Sequence, residues 1–315
     1  MNPVSLITEI AAKIIPFFVV IAIGYMLRLV KIINNENVRV LNKIAYNIVL
    51  PAIIFISIIQ FNINEIININ IIKNIYTIYI IIIVYILLLN LLIKIPDKTR
   101  GAFMVASFRA NIAFIGFPIV LAVFGSLAMA KASLMNALLM PINTIPTIFI
   151  LKKYSPDKEN VKIYKTILKF FIDPLIIATM AGILFSYFNI SVCSPVKSIF
   201  EILSGMGIGL SLISIGASFE ILNVKKRLGL MGFSVMNKLI IMPLIAFIIS
   251  VYLFRVDALE RDVICLLCAT PLAVSSYIMG VEYKSDSDFM SSSLIVSTVI
   301  SVITIPGWLF ILQLL

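Results

Sequence analysis

The chain has no histidine and only three cysteines in 315 residues. Without imidazole it can build neither a histidine metal site nor a histidine general base. Cys265 and Cys268 form a CxxC, but it lies in an apolar run without zinc partners or a thioredoxin-like context, so it reads as core packing. Charge is scarce: 13% of the residues, with 15 acids against 25 bases. A membrane-embedded enzyme would need a nucleophile, a metal or an acid pair inside the bilayer, and the absence of histidine and the scarcity of intramembrane acids argue against one. No polar connection is long enough for a soluble domain either; the longest runs from Lys152 to about Thr166.

What fills the chain instead is apolar: 61% of residues are hydrophobic, and the mean hydropathy is +1.12. A soluble domain of this length could not hide so much apolar surface. The apolar residues come in runs of about 20, the length a helix needs to cross the hydrocarbon core. Ten spans are expected: 11–30, 40–60, 72–93, 101–123, 127–151, 167–188, 196–219, 228–253, 260–282 and 290–313. The first continues past a short signal core with no cleavage site after it, so no removable leader is expected.

The net charge of +10 could suggest nucleic acid, but its placement argues against that. Alternate loops beginning at Arg28, Lys94, Lys152, Lys225 and Lys284 hold seventeen Lys and Arg, and the other set holds five. This is the positive-inside bias, and it predicts both termini outside the cytoplasm.

The basic segment 154–166 divides the chain into halves, 1–153 and 167–315, of five spans each. Pro16 and Gly24 of the first span recur as Pro174 and Gly182 in the sixth; Pro141 and Pro306 end the fifth and tenth. These spacings favour an internal repeat. Five is odd, so the second copy must insert upside down, an arrangement that places transporter sites at the midplane between the copies.

Two spans carry a proline near their middle among polar or small residues. The fourth reads Ser107-Phe108-Arg109-Ala110-Asn111, then Gly116-Phe117-Pro118. The ninth reads Ala269-Thr270-Pro271-Leu272-Ala273-Val274-Ser275-Ser276. Proline lacks the backbone donor and clashes with the preceding turn, at about 3 kcal/mol in a helix interior. In lipid the freed carbonyls have no water to bond, so such breaks belong where protein or a hydrated cavity surrounds them. Non-helical backbone is therefore expected around 115–118 and 270–273, leaving N–H groups bare at the start of the next half-helix for an anion. The other reading is an ordinary kink, and Pro16, Pro51, Pro141, Pro146, Pro174 and Pro243 are expected to be kinks or span ends.

Arg109 costs roughly 2.5–3.5 kcal/mol in such a span. Three readings stay open for it: contact with a substrate anion, pairing with a buried acid or carbonyl, or snorkelling to the cytoplasmic edge. Lys238 poses the same question on the eighth span, with more weight on structure. Glu9 can pair with Lys13, four residues on. Glu9, Asp173, Glu201 and Glu282 could each relay a proton, though solvation at span ends is the plainer reading. Gly205 and Gly209 form a small-xxx-small pair suited to close helix packing. Asn47, Asn136, Asn143, Ser211 and Ser214 read as interhelix hydrogen-bonding groups, with cavity lining as the minority view.

At these residues the sequence resembles the auxin efflux carrier family, which includes the plant PIN-FORMED carriers and bacterial malate/malonate-type permeases. The resemblance covers nearly the whole chain. It rests on Ala22-Ile23-Gly24-Tyr25, Val49-Leu50-Pro51-Ala52-Ile53-Ile54-Phe55, Arg109-Ala110-Asn111 with Gly116-Phe117-Pro118, and Ser214-Ile215-Gly216-Ala217-Ser218. It continues in Ala269-Thr270-Pro271, Glu282-Tyr283 and Ser297-Thr298 before Ile305-Pro306. It implies an all-α membrane fold of ten helices in two inverted five-helix repeats, with broken fourth and ninth helices that cross. It also implies a bile-acid-symporter-like elevator with scaffold and transport domains, each built from both repeats. By matching position, the family's asparagine near the crossing falls on Asn111 and its crossover prolines on Pro118 and Pro271. The chain lacks the long cytoplasmic loop of the plant members, and it carries Arg109 where they tend to be apolar, which suits a smaller, more charged acid than auxin.

The expected function is a secondary transporter of small mono- or dicarboxylates in a prokaryotic inner membrane, with no cofactor, no metal and no nucleic-acid partner. The expected substrate contacts are Arg109, Asn111, Gly116, Pro118, Thr270, Pro271, Ser275 and Ser276, with Asn47 and Ser214 nearby. Membrane lipids are the remaining partner, and the resemblance allows a homodimer through the scaffold domain. The rivals are a sodium-coupled carrier like the bile-acid symporters and a receptor or channel.

Overall fold

The computed structural model describes residues 3–155, 168, 170–219 and 228–314. Most of the segment 154–166 and the basic residues Lys158, Lys162, Lys165, Lys169, Lys225, Lys226 and Arg227 lie outside the described residues. Among the described residues every regular element is helical, and the only β-type pairing is an isolated bridge.

Among the described residues, seven segments are long and apolar enough to cross a bilayer: Thr8–Leu29, Glu36–Ile58, Ile63–Leu92, Ile112–Lys153, Ser194–Ala217, Leu228–Leu253 and Ser287–Gln313. They turn apolar side chains outward, as a hydrocarbon solvent allows; on Ile69–Leu92, Leu91 and Leu92 are 79% and 82% exposed. The sixth expected span forms the shorter helix Pro174–Tyr187, N-capped by Asp173, whose Oδ1 accepts from Leu175 N at 2.9 Å. The ninth is two half-helices, Ala258–Ala269 and Val274–Glu282. The fourth begins as Asp97–Ala106 and resumes at Ile112. It then continues through a kink into the fifth at Gly125, with φ 81° and ψ −171°. That backbone region is essentially reserved for glycine.

The chain forms two compact units, each drawn from both halves of the sequence. One comprises Met1–Ile71, Ala113–Leu138 and Ile167–Phe219; the other comprises Ile72–Ile112, Leu139–Thr166 and Glu220–Leu315.

In the first unit, helix Pro3–Leu29 packs along Gly207–Ala217, and Leu50–Ile58 packs against Pro174–Tyr187. Glycines set both approaches. A Cβ on Gly216 would stand 1.8 Å from the Ile21 carbonyl oxygen, and one on Gly24 would stand 2.3 Å from that of Ile213. On Gly182 it would meet Ile58 at 2.9 Å. The expected pair Gly205 and Gly209 does not serve this purpose, for nothing lies within 4 Å of a Cβ on either. The helix turns Gly216 and Gly207 inward instead, Gly207 against Ile53. Small residues permit close approach, but the tertiary fold selects which face makes it.

In the second unit, Ser287–Gln313 packs against Ala258–Ala269 and Asp97–Ala106. Polar side chains join its helices: Asn74 Nδ2 donates to Ser250 Oγ at 2.9 Å, and Tyr85 Oη to Asn237 Oδ1 at 2.9 Å. Cys265 and Cys268 are buried and unoxidised, in keeping with their reading as packing residues.

Three prolines share one local device. Pro51, Pro118 and Pro243 each stand two residues beyond a five-residue turn of π type, namely Ala45–Val49, Ile112–Gly116 and Asn237–Ile241. A wide turn shifts the carbonyl that the proline ring would strike and absorbs the missing donor. The span therefore carries the proline without unwinding there.

Candidate functional site

The fourth span opens before Pro118, over Ser107–Asn111. Helix Asp97–Ala106 stops at Ser107, whose Oγ donates back to the Phe103 carbonyl at 2.8 Å. The expectation of non-helical backbone around 115–118 is thus corrected: the wide turn accommodates Pro118, and the chain is extended farther upstream. The ninth span opens where expected, over Thr270–Ala273, between its two half-helices. Thr270 closes the first of them, with Oγ1 donating to the Leu267 carbonyl at 2.8 Å.

The two openings pair with each other. Ala110 and Leu272 form an antiparallel bridge. Asn111 N donates to the Pro271 carbonyl at 2.8 Å, and Ala273 N donates to the Arg109 carbonyl at 3.2 Å. Leu272 N donates to Ser297 Oγ at 3.2 Å. Backbone groups that lipid would leave unsatisfied thus find partners across the crossing.

Polar side chains gather there. Arg109 Nη2 donates to Ser275 Oγ at 3.2 Å, and Nη1 reaches Met279 Sδ at 2.7 Å, so the guanidinium lies along the first turns of Val274–Glu282. That half-helix begins without a side-chain cap; Ser276 N bonds back to the Ala273 carbonyl at 2.9 Å, and the N–H groups of Val274 and Ser275 precede it at the open end. The Asn111 Nδ2 and Ser276 Oγ atoms are buried without hydrogen-bond partners. Such groups are costly unless something satisfies them.

The structure therefore brings together Arg109, Asn111, Thr270, Pro271, Ser275 and Ser276. Gly116, Pro118, Asn47 and Ser214 belong to the other unit. There Asn47 Nδ2 donates to the Lys43 carbonyl at 2.8 Å, and Ser214 Oγ donates to Asn42 Oδ1 at 2.8 Å. Met279 and Ser297 were not expected at a site. Met279 carries no polar signal in sequence, and Ser297 stood only within a longer resemblance.

The acids weighed as relays take ordinary roles. Glu9 Oε1 accepts from Lys13 Nζ at 2.8 Å, and Glu201 pairs with Lys197 at 3.7 Å; all four side chains are well exposed. Asp173 caps its helix and accepts from Tyr46 Oη at 2.8 Å. Glu282 is exposed at a helix end. Lys238, in contrast, is wholly buried, and its Nζ donates to the Cys268 carbonyl at 2.5 Å.

Comparison with known proteins agrees with this arrangement of apolar helices. The family model described as membrane transport protein matches residues 9–309. An uncharacterized transporter of Methanothermobacter thermautotrophicus is 23% identical over 301 residues, covering 95% of this chain and 97% of the relative. A second, from Methanocaldococcus jannaschii, is 22% identical over 301 residues, covering 93% and 96%. A Rhizobium meliloti protein proposed to transport malonate is 21% identical over 312 residues, covering 97% and 96%. A match along nearly the full chain, on a scaffold with seven segments able to cross a bilayer, identifies a multi-pass membrane protein that belongs to the membrane transport protein family.

Proposed function

We propose that the chain is a secondary transporter of small carboxylates and that the carboxylate binds where the two opened spans cross. The observation that carries this reading is the backbone pairing of Arg109–Asn111 with Pro271–Ala273, beside an uncapped half-helix and a guanidinium. An anion there meets first-turn N–H groups, the positive end of a helix dipole and the Asn111 amide. The buried Ser276 hydroxyl, which has no partner, supplies one further donor. The relation to a protein proposed to carry malonate supports a short mono- or dicarboxylate.

The fuller architecture belongs to the same reading. Ten spans form two inverted repeats, 1–153 and 167–315, joined by the cytoplasmic segment 154–166. Scaffold and transport domains each take helices from both repeats and move past one another as an elevator. Both termini face away from the cytoplasm. The interleaved composition of the two compact units supports this pattern.

Binding is tested by thermal shift of the purified protein with malonate, malate and acetate, since a ligand that binds the native state stabilises it. Counterflow of the stabilising acid in proteoliposomes then separates a carrier from a receptor or channel. Asn111→Asp is the decisive variant. It keeps the shape but sets a negative charge at the site, and it should abolish stabilisation by the acid in a folded protein. Undiminished binding to Asn111→Asp would move the site elsewhere.

A further inference from the structure

The most deeply buried cation of the described chain has no part in the crossing's hydrogen bonds. Lys238 sits in the wide turn Asn237–Ile241, with no exposed surface. Its Nζ donates to the carbonyl of Cys268, the second-last residue of Ala258–Ala269. That carbonyl is one of the group a helix C-terminus leaves unpaired. Capping it needs only a donor, which a neutral glutamine could supply. A charge at this depth is expensive, so the amine calls for a reason beyond capping.

Among the described residues no carboxylate pairs with Lys238. Four helices pack broadly against the turn, Leu228–Met236, Met242–Ile248, Ala258–Ala269 and Ser287–Gln313, and Tyr85 of a fifth, Ile69–Leu92, bonds to Asn237 within it. The first two carry no titratable side chain, and the fourth has only Asp288, in its first turn. Ala258–Ala269 carries Glu260, Arg261 and Asp262 in its first turns, Cys265 one turn before its end, and Cys268, whose carbonyl Lys238 holds. The carbonyl that Lys238 holds lies two residues before Thr270, where the break opens, so the amine is tied to the end of the half-helix that leads into the crossing.

We propose that Lys238 is the coupling residue of the carrier, taking up one proton on Nζ as the carboxylate binds at the crossing and releasing it when the carboxylate leaves. This rests on the crossing being a carboxylate site. A carboxylate arriving near the break favours the ammonium over the amine by Coulomb attraction, and the ammonium must favour the carboxylate equally. The proton comes from water on the entry side and returns to water on the exit side. Each cycle then moves one proton with one substrate anion, and no other ion is required.

The test is calorimetry of malonate binding to the whole protein in two buffers of different ionisation enthalpy, at neutral and alkaline pH. The wild type should take up a proton on binding, seen as a buffer-dependent heat. Lys238→Arg keeps a cation that cannot deprotonate, so its binding heat should lose that dependence while malonate still binds. In proteoliposomes the same variant should retain malonate counterflow and lose accumulation driven by a proton gradient. Lys238→Gln, a neutral donor to the Cys268 carbonyl, serves if the arginine fails to fold. It should show no proton uptake and weaker binding, by about tenfold or more. If the wild type binds malonate with no buffer dependence at either pH, or a folded variant keeps the wild-type dependence, Lys238 is not the coupling residue. If the wild type binds no carboxylate in any buffer, the carboxylate reading itself fails, and this inference falls with it.

Discussion

At the scale of single residues, charge in an apolar run is what the sequence displays most openly. Arg109 and Lys238 both stood out on that ground, but their partners did not. Ser275, 166 residues from Arg109, and the Cys268 carbonyl are joined to them only by the fold. Arg109 carries a sharp prediction. If its guanidinium contacts substrate, Arg109→Gln should weaken malonate binding while leaving the melting temperature nearly unchanged. A desolvated charged hydrogen bond contributes roughly 1.5–3 kcal/mol, so the loss should be about tenfold to about a hundredfold in affinity. Arg109→Lys keeps the charge without the planar fork; partial rescue points to a simple counter-charge and no rescue to bidentate recognition. A drop in melting temperature with unchanged affinity would instead make Arg109 a structural residue.

At the scale of elements, the prolines were legible and their consequences only in part: Pro271 breaks the ninth span as expected. Pro118 was expected to unwind the fourth span, yet a wide turn carries it and the opening lies upstream. Glycine behaved likewise. Within helix Gly207–Ala217, Gly209 faces open space while Gly216 touches the Ile21 backbone. Two substitutions in this one helix should therefore act in opposite directions. Gly216→Ala forces two helices apart and should destabilise by about 1–3 kcal/mol or more. Gly209→Ala should stabilise by about 0.5–1 kcal/mol, since alanine favours the helix. Thermal melting in one detergent measures both, and equal effects would show that the glycine contacts are misassigned. Gly125 offers a purely conformational case. A Cβ there meets nothing within 4 Å, but its backbone lies in glycine territory. Gly125→Ala should cost about 1–3 kcal/mol from backbone strain alone.

At the scale of the molecule, the charge bias makes the orientation testable. Cys193 is exposed, whereas Cys265 and Cys268 are buried. Its loop is expected on the outer face, so a membrane-impermeant maleimide should label Cys193 in intact cells. A cysteine substituted for Asn160 in a Cys193→Ser background should stay unlabelled until the cells are opened. The reverse pattern would invert the orientation and remove the support for the inverted repeat. The membrane class was legible because bilayer thickness dictates span length. The division into two units was not, because neither unit is a continuous stretch of chain.

The sequence by itself determined that this chain lives in a bilayer, that its helices are long and apolar, and that the ninth span breaks at Pro271. Those conclusions depend on local quantities: hydropathy, helix length, and proline's missing donor. Only the tertiary structure decided that Ala110 lies opposite Leu272, that Gly216 meets Ile21, and that Lys238 reaches Cys268. Each of these contacts depends on which faces of distant helices meet. In an apolar solvent nearly every helix face is hydrophobic, so the polar and nonpolar sides that reveal orientation in a soluble protein are absent.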